Sequence, residues 1–166
     1  MAVINEYVNS DVAAEKLINA AFIHGAAVQI AVVTFEVAAA DSDTSKYRLL
    51  KNVPADLIPV KIEILADAIT SGSDYDLGFY EPLEFGGAVI DADALMDGVD
   101  FSSGFARGSE QNGLAAVDVA NVQKRIYELA GHSLSTKKLG YDIVLTANTV
   151  GSSAGTISAI FYFVQG

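Results

Sequence analysis

The chain has 166 residues, 51% of them hydrophobic, with 21 Asp and Glu against 10 Lys and Arg and a net charge of −11. That length fits one domain burying roughly two thirds or more of its unfolded surface. The charge argues against a DNA or RNA partner, because phosphate binding needs clustered Lys and Arg and the densest cluster here is Lys137-Lys138.

The longest apolar stretches, Ala26 to Phe35 and Ile157 to Val164, fall far below the roughly 20 residues of a membrane-spanning helix, so no membrane partner is expected. The mean hydropathy of +0.34 is high for a soluble monomer and points to surface hidden against an oligomer or a larger partner. MAVINEYVNSD shows neither a basic segment nor an apolar core of the secretory kind. The absence of cysteine excludes disulfides. Both features fit synthesis in a cytoplasm.

Residues 1–26 read as an arm followed by a helix, with Ser10 as N-cap, Asp11 in the first turn and Gly25 as terminator. Gln29 to Val37 is apolar on both faces and predicts a strand buried on both sides. DSDTS (Asp41 to Ser45) is a turn, and Lys46 to Lys51 a short strand. Pro54 and Pro59 bracket entry to the next strand, where Val60, Ile62 and Ile64 alternate with Lys61 and Glu63. Ser71 to Asp74 turns the chain into Tyr75, Leu77 and Phe79, so these two strands read as a hairpin.

From Gly86 to Ala120 the pattern is irregular and predicts loops, short strands and a helical turn near Asp93 to Met96. Asn121 is expected to cap a helix through Val122, Ile126 and Leu129, ended by Gly131. Tyr141, Ile143, Leu145 and Ala147, then a Gly/Ser loop, then Ile157, Phe161 and Phe163 read as a closing hairpin. Together these elements predict a mainly β protein, an antiparallel β-sandwich of jelly-roll type with an N-terminal arm and helix and one further short helix. Its parts are the arm and helix over 1–26 and the sandwich over 27–166, a single domain overall.

Catalytic equipment is sparse. His24 and His132 lie far apart in sequence and outside any zinc spacing; each is expected to sit against the negative end of a helix. Ser133 has no GxSxG elbow, and no glycine pattern fits a phosphate. Arg107, Glu110 and His132 are spare polar residues with no spacing logic, so no catalysis and no cofactor are expected. Tyr75, Phe79 and Tyr80 could line a sugar groove, but strand alternation places them in the core first. The Asp clusters fall in predicted turns, where such side chains bond backbone N–H groups. Asp91, Asp93 and Asp97 are the weak metal candidates, in a segment that lacks the EF-hand glycine and distal Glu.

Four segments carry a resemblance: Lys61 to Leu65, Asp74 to Tyr80 (DYDLGFY), Val89 to Val99 (VIDADALMDGV) and Tyr141 to Thr149 (YDIVLTANT). In this order they resemble the auxiliary capsid proteins of tailed bacteriophages, the cement or decoration proteins, over about the last two thirds of the chain. The resemblance implies a jelly-roll protein without catalysis that binds and stabilises the assembled capsid. Its implied partners are the major capsid protein and further copies of itself, a homotrimer or else a dimer. The implied location is the outer capsid surface of a virion, after synthesis in the host cytoplasm. Residues 1–10, with Met1, Ala2, Val3, Ile4, Tyr7 and Val8, are expected to lie against another subunit. A head-fibre or tail-associated module binding a receptor or carbohydrate is the alternative reading.

Overall fold

The computed structural model describes residues 5–7, 18–19 and 27–166. Its strands are β1 (Asn5–Tyr7), β2 (Ile18–Asn19), β3 (Val28–Val37), β4 (Lys46–Pro54), β5 (Leu57–Ala66), β6 (Asp74–Tyr80), β7 (Val89–Val99), β8 (Gln111–Asn112), β9 (Gly140–Thr149) and β10 (Gly155–Gln165). One α-helix, α1 (Ile126–Leu129), stands between β8 and β9.

Pairing is nested. β3 runs antiparallel to β10, β4 to β9, β5 to β8, and β6 to β7. From β3 onward the chain is therefore one long ribbon folded back between β6 and β7. Rolling the ribbon sends alternate pairs to opposite sheets and makes the new neighbours β10–β5 and β9–β6. The sheets have the orders β1-β4-β9-β6-β7 and β2-β3-β10-β5-β8. This is the expected antiparallel sandwich of jelly-roll type. The two short N-terminal strands lie on the outer edges of β4 and β3, covering backbone groups that an open edge would expose.

The roll explains why neither expected hairpin exists. β5 and β6 belong to different sheets, as do β9 and β10, so their connections are corners that cross the sandwich. Alternation in a strand reports which face is buried and says nothing about which strand lies alongside. The core is made by that alternation: Val33 and Phe35 from β3, Ile62 and Ile64 from β5, Leu77 and Phe79 from β6, Ile143 and Leu145 from β9, Phe161 and Phe163 from β10. Each such fully buried side chain stabilises the fold by about 1.5–3 kcal/mol.

Four further expectations are corrected. β3 is buried on one face only, its outward Val32, Thr34 and Glu36 being exposed. Val60 points out instead of in, because the β5–β10 register shifts at Tyr162/Phe163 and leaves Val60 and Lys61 together on the outer side. Asp91 to Val99 of DADALMDGVD forms neither turn nor helical turn: it lies in β7, whose repeated register shifts against β6 hide the alternation that marks a strand, and only Asp100 falls in the turn that follows. Finally, the helix expected from Asn121 begins at Arg125, whose backbone N–H donates to the Glu128 carboxylate in a capping box. Gly131, at φ 76, does follow its end as expected. The helix expected over residues 10–25 lies outside the described residues apart from Ile18 and Asn19. Those two pair with Ile30 and Gln29 as a strand, so no helix runs through them.

The two sheets differ on their outer sides. β9 is buried on both faces, with outward Asp142 and Val144 at 0% exposure. A Cβ at Gly78, the neighbour of Val144, would fall 2.1 Å from the Asp91 carbonyl oxygen, so β7 crosses directly over that face. The outer side of β3-β10-β5 has no such cover among the described residues.

Candidate docking interface

Each strand runs the length of the sandwich, which divides the loops between two ends. At one end lie 38–45, 67–73, 100–110 and 150–154; at the other lie 55–56, 81–88 and 113–139. The first end is acidic. Among the described residues of its loops, Asp41, Asp43, Asp67, Asp100 and Glu110 stand there against Arg107. At the second end Asp56, Glu81, Glu84, Asp118 and Glu128 are nearly balanced by Lys124, Arg125, Lys137 and Lys138.

The acids of the first end are used in turns, as the sequence predicts. Ser102 N–H donates to Asp100 Oδ1 at 2.8 Å, and Gly108 N–H to Glu110 at 2.9 Å. Val150 N–H donates to Asp43, Thr156 N–H at the start of β10 donates to Asp67, and the Ser73 hydroxyl donates to Asp100, so each loop is tied to a neighbour. The Ser102 hydrogen bonds hold the Asp100 carboxyl below the usual carboxylate range. The Tyr47 hydroxyl donates to Asp41 at 2.8 Å, and burial with that acid beside it pushes the phenol up.

The second end carries the exposed apolar side chains. Val60, Phe85, Val89, Val119, Val122, Leu134 and Leu139 all fall there, with Val32 the one large exposed aliphatic outside it among the described residues. Leu139 is 97% exposed and Phe85 70%. Both flank a groove of about 380 Å³ floored by Pro82 and Gly140. A second groove of about 340 Å³ runs between Val60, Leu114, Val119, Val122 and Leu129.

These residues are exposed but firmly held. Arg48 donates from Nη1 to the Glu81 carbonyl (2.9 Å) and from Nη2 to the Gly87 carbonyl (2.8 Å), pinning the loop that presents Phe85. A Cβ at Gly87 would lie 2.7 Å from Arg48 Nη2, and the residue's φ is 63, so glycine is required there. Lys138 Nζ meets Glu81 at 2.9 Å, and Lys137 Nζ donates to both carboxylate oxygens of Asp56. Ala55 N–H donates to the Leu139 carbonyl, so the most exposed leucine stands on anchored backbone. Tyr141 accepts from Lys138 N–H at 3.0 Å and lies 2.6 Å from His132 Nδ1. His132 thus bonds a tyrosine with its side chain, while its N–H donates to the Tyr127 carbonyl at the end of α1.

Of the residues expected to bind a partner, Met1, Ala2, Val3, Ile4 and Val8 lie outside the described residues, as does His24. Tyr7 ends β1, paired in parallel with Arg48 of the same chain. Asp91 and Asp93 are two residues apart on β7, and Asp97 lies beyond the buried Leu95 and Met96. Among the described residues no group of three His, Cys, Asp or Glu comes together as metal ligands. Burial, together with the neighbouring Asp93, raises the Asp91 carboxyl. Arg107 and Glu110 sit at the acidic end and His132 at the opposite one, so the spare polar residues do not converge. Tyr75, Phe79 and Tyr80 are all core. Phe85 and Leu139 were not signalled as binding residues; the only hint is the two leucines, Leu134 and Leu139, set in the polar run SLSTKKLG.

No protein-family model and no curated protein matches the chain. Among solved structures, a chain from the capsid of Ralstonia phage GP4 superposes with a TM-score of 0.54 at 15% identity, covering 97% of this chain and 99% of that one. A chain from the cyanophage Pam1 capsid asymmetric unit gives a TM-score of 0.47 at 12% identity, covering 91% and 94%. At such identities the first likeness shows a shared fold, end to end.

Proposed function

We propose that this chain is a structural virion protein that binds and stabilises the assembled shell of a tailed bacteriophage as a cement protein, with no catalytic step of its own. Its apolar, charge-balanced end lies against the shell and its acidic end faces solvent on the outer capsid surface. The observation that carries this reading is the opposition of the two ends. Exposed apolar side chains clustered on braced backbone mark a docking surface, and an acidic far end keeps densely packed copies soluble. The fold shared with a phage capsid chain supports the same reading.

The partners are the major capsid protein and further copies of this chain. Stabilisation needs only that the assembled shell be bound and its separated subunits not, which shifts the assembly equilibrium by mass action. The test is co-sedimentation with empty, expanded shells of the same virion. Binding in a fixed ratio to shells, with none to unassembled capsid protein, is the expected result. No binding to shells would overturn the reading.

A further inference from the structure

The outer side of β3, β10 and β5 carries a second apolar surface, which meets the docking end at Val60 and Lys61. Register places Val28, Val164 and Ile58 in one row, Ile30, Tyr162 and Lys61 in the next, then Val32, Ile160 and Glu63, then Thr34, Ser158 and Leu65. The polar groups are already satisfied within the face. Lys61 Nζ bonds Glu63 at 2.7 Å, the Tyr162 hydroxyl donates to Glu63 at 3.0 Å, and the Thr34 and Ser158 hydroxyls bond each other at 2.8 Å. An occupant therefore needs no matching polar groups, only a flat apolar surface.

We infer that this face pairs with the same face of a second copy of the chain, two sheets stacked about a two-fold axis. This deepens the proposed function by naming a partner and the surface it takes. Charge selects the occupant. Two copies at −11 each repel over most of their surface. Among the described residues the charges on or beside this face nearly balance: Lys61 and Glu63 are paired, Arg107 and Glu110 stand close to them, and Glu36 lies at the margin. Position agrees: with the apolar end on a shell, the sheet faces point sideways toward neighbouring copies, and the opposite sheet is already covered by β7. A flat sheet is its own complement, since sheets stack about 10 Å apart with aligned strands.

Size sets the strength. Three strands about 4.8 Å apart and about 33 Å long present on the order of 500 Å² per copy, below the roughly 800 Å² per partner of a stable complex. The pair is therefore weak in dilute solution and fills in where a shell concentrates the copies.

The experiment is sedimentation equilibrium of the full chain up to millimolar concentration, with Val32→Glu and Ile160→Glu beside the parent. Val32 is 52% exposed, so its replacement leaves the core intact. The chain has no cysteine, so a single Thr34→Cys variant adds an oxidative cross-link readout that does not rely on an added charge. The parent is expected to show a monomer–dimer equilibrium weakened at least tenfold by either glutamate, and Thr34→Cys to cross-link in dimers. A parent monomeric throughout, or one that dimerises equally with both glutamates, overturns the inference. So does a Val32 face covered by the chain's own N-terminal residues in the monomer. Shell binding by Val32→Glu separates the two readings. Binding retained with pairing lost supports both; pairing that Val32→Glu abolishes in a parent that never binds shells leaves this inference standing alone.

Discussion

Arg48 Nη1 and Asp142 Oδ2 lie 2.8 Å apart with neither side chain exposed to solvent. The pair joins β4 to β9 and, through the Arg48 bonds to the Glu81 and Gly87 carbonyls, ties the loop carrying Phe85 to the sheet. Asp142 Oδ1 completes the knot by accepting from Asn52 N–H at 2.8 Å. A buried charge left without its partner is costly, whereas an apolar pair of similar volume can replace both. Arg48→Met alone is expected to destabilise the fold by about 3–5 kcal/mol in denaturant unfolding. Arg48→Met with Asp142→Leu should cost far less than the two single changes summed.

Gly78 marks where β7 crosses the sheet. A Cβ there would come within 2.4 Å of backbone atoms of both Asp91 and Ala92, which cannot swing aside as a side chain can. Gly78→Ala should therefore cost at least about 1–3 kcal/mol. Hydrogen exchange at Val144 should rise with it, as the cover lifts from the outer side of β9.

Two carboxyls should shift stability with pH in opposite directions. Burial raises Asp91, so between its ordinary and raised values the folded state holds a proton that the unfolded state has lost, and stability falls as pH rises. Asp91→Asn should thus gain stability at pH 7, with the gain vanishing in acid. Hydrogen bonds from Ser102 lower Asp100. Its contribution is present above the ordinary carboxylate range and is lost as pH falls through the depressed value. Asp100→Asn should lose stability at pH 7, and the difference should close in acid. Thermal melts of the two variants across pH read both signs.

Exposed Phe85 and Leu139 should bind without stabilising. Phe85→Ser and Leu139→Ser are expected to leave the melting temperature within about 2 °C, since surface changes usually fall within ±0.5 kcal/mol. Each should weaken shell binding about tenfold or more, as truncation of an anchoring side chain does. Titration of shells with each variant measures the loss.

Much of the sandwich was legible because core alternation is local. Leu77 and Phe79, or Ile143 and Leu145, declare their buried face within a few residues. Pairing was not legible, because the partner of β9 is β4, some 90 residues earlier as Asn52 and Asp142 are. Bulges erased the rest: they turned Val60 outward and made β7 look like loop and helix. The acidic loops were readable from Asp beside Ser and Gly, whose short side chains close turns. The apolar end was not, since Phe85, Val119 and Leu139 are scattered in sequence and meet only after the ribbon has rolled.

Which end of the sandwich touches the shell can be read by hydrogen-exchange mass spectrometry of the free and the shell-bound protein. Binding should slow exchange in 81–88 and 113–139, around Phe85, Val119 and Leu139, and leave 38–45 and 100–110 unchanged. Slowing confined to the Asp41 and Asp100 loops, with the Phe85 and Leu139 segments exchanging as freely as before, would contradict docking by the apolar end.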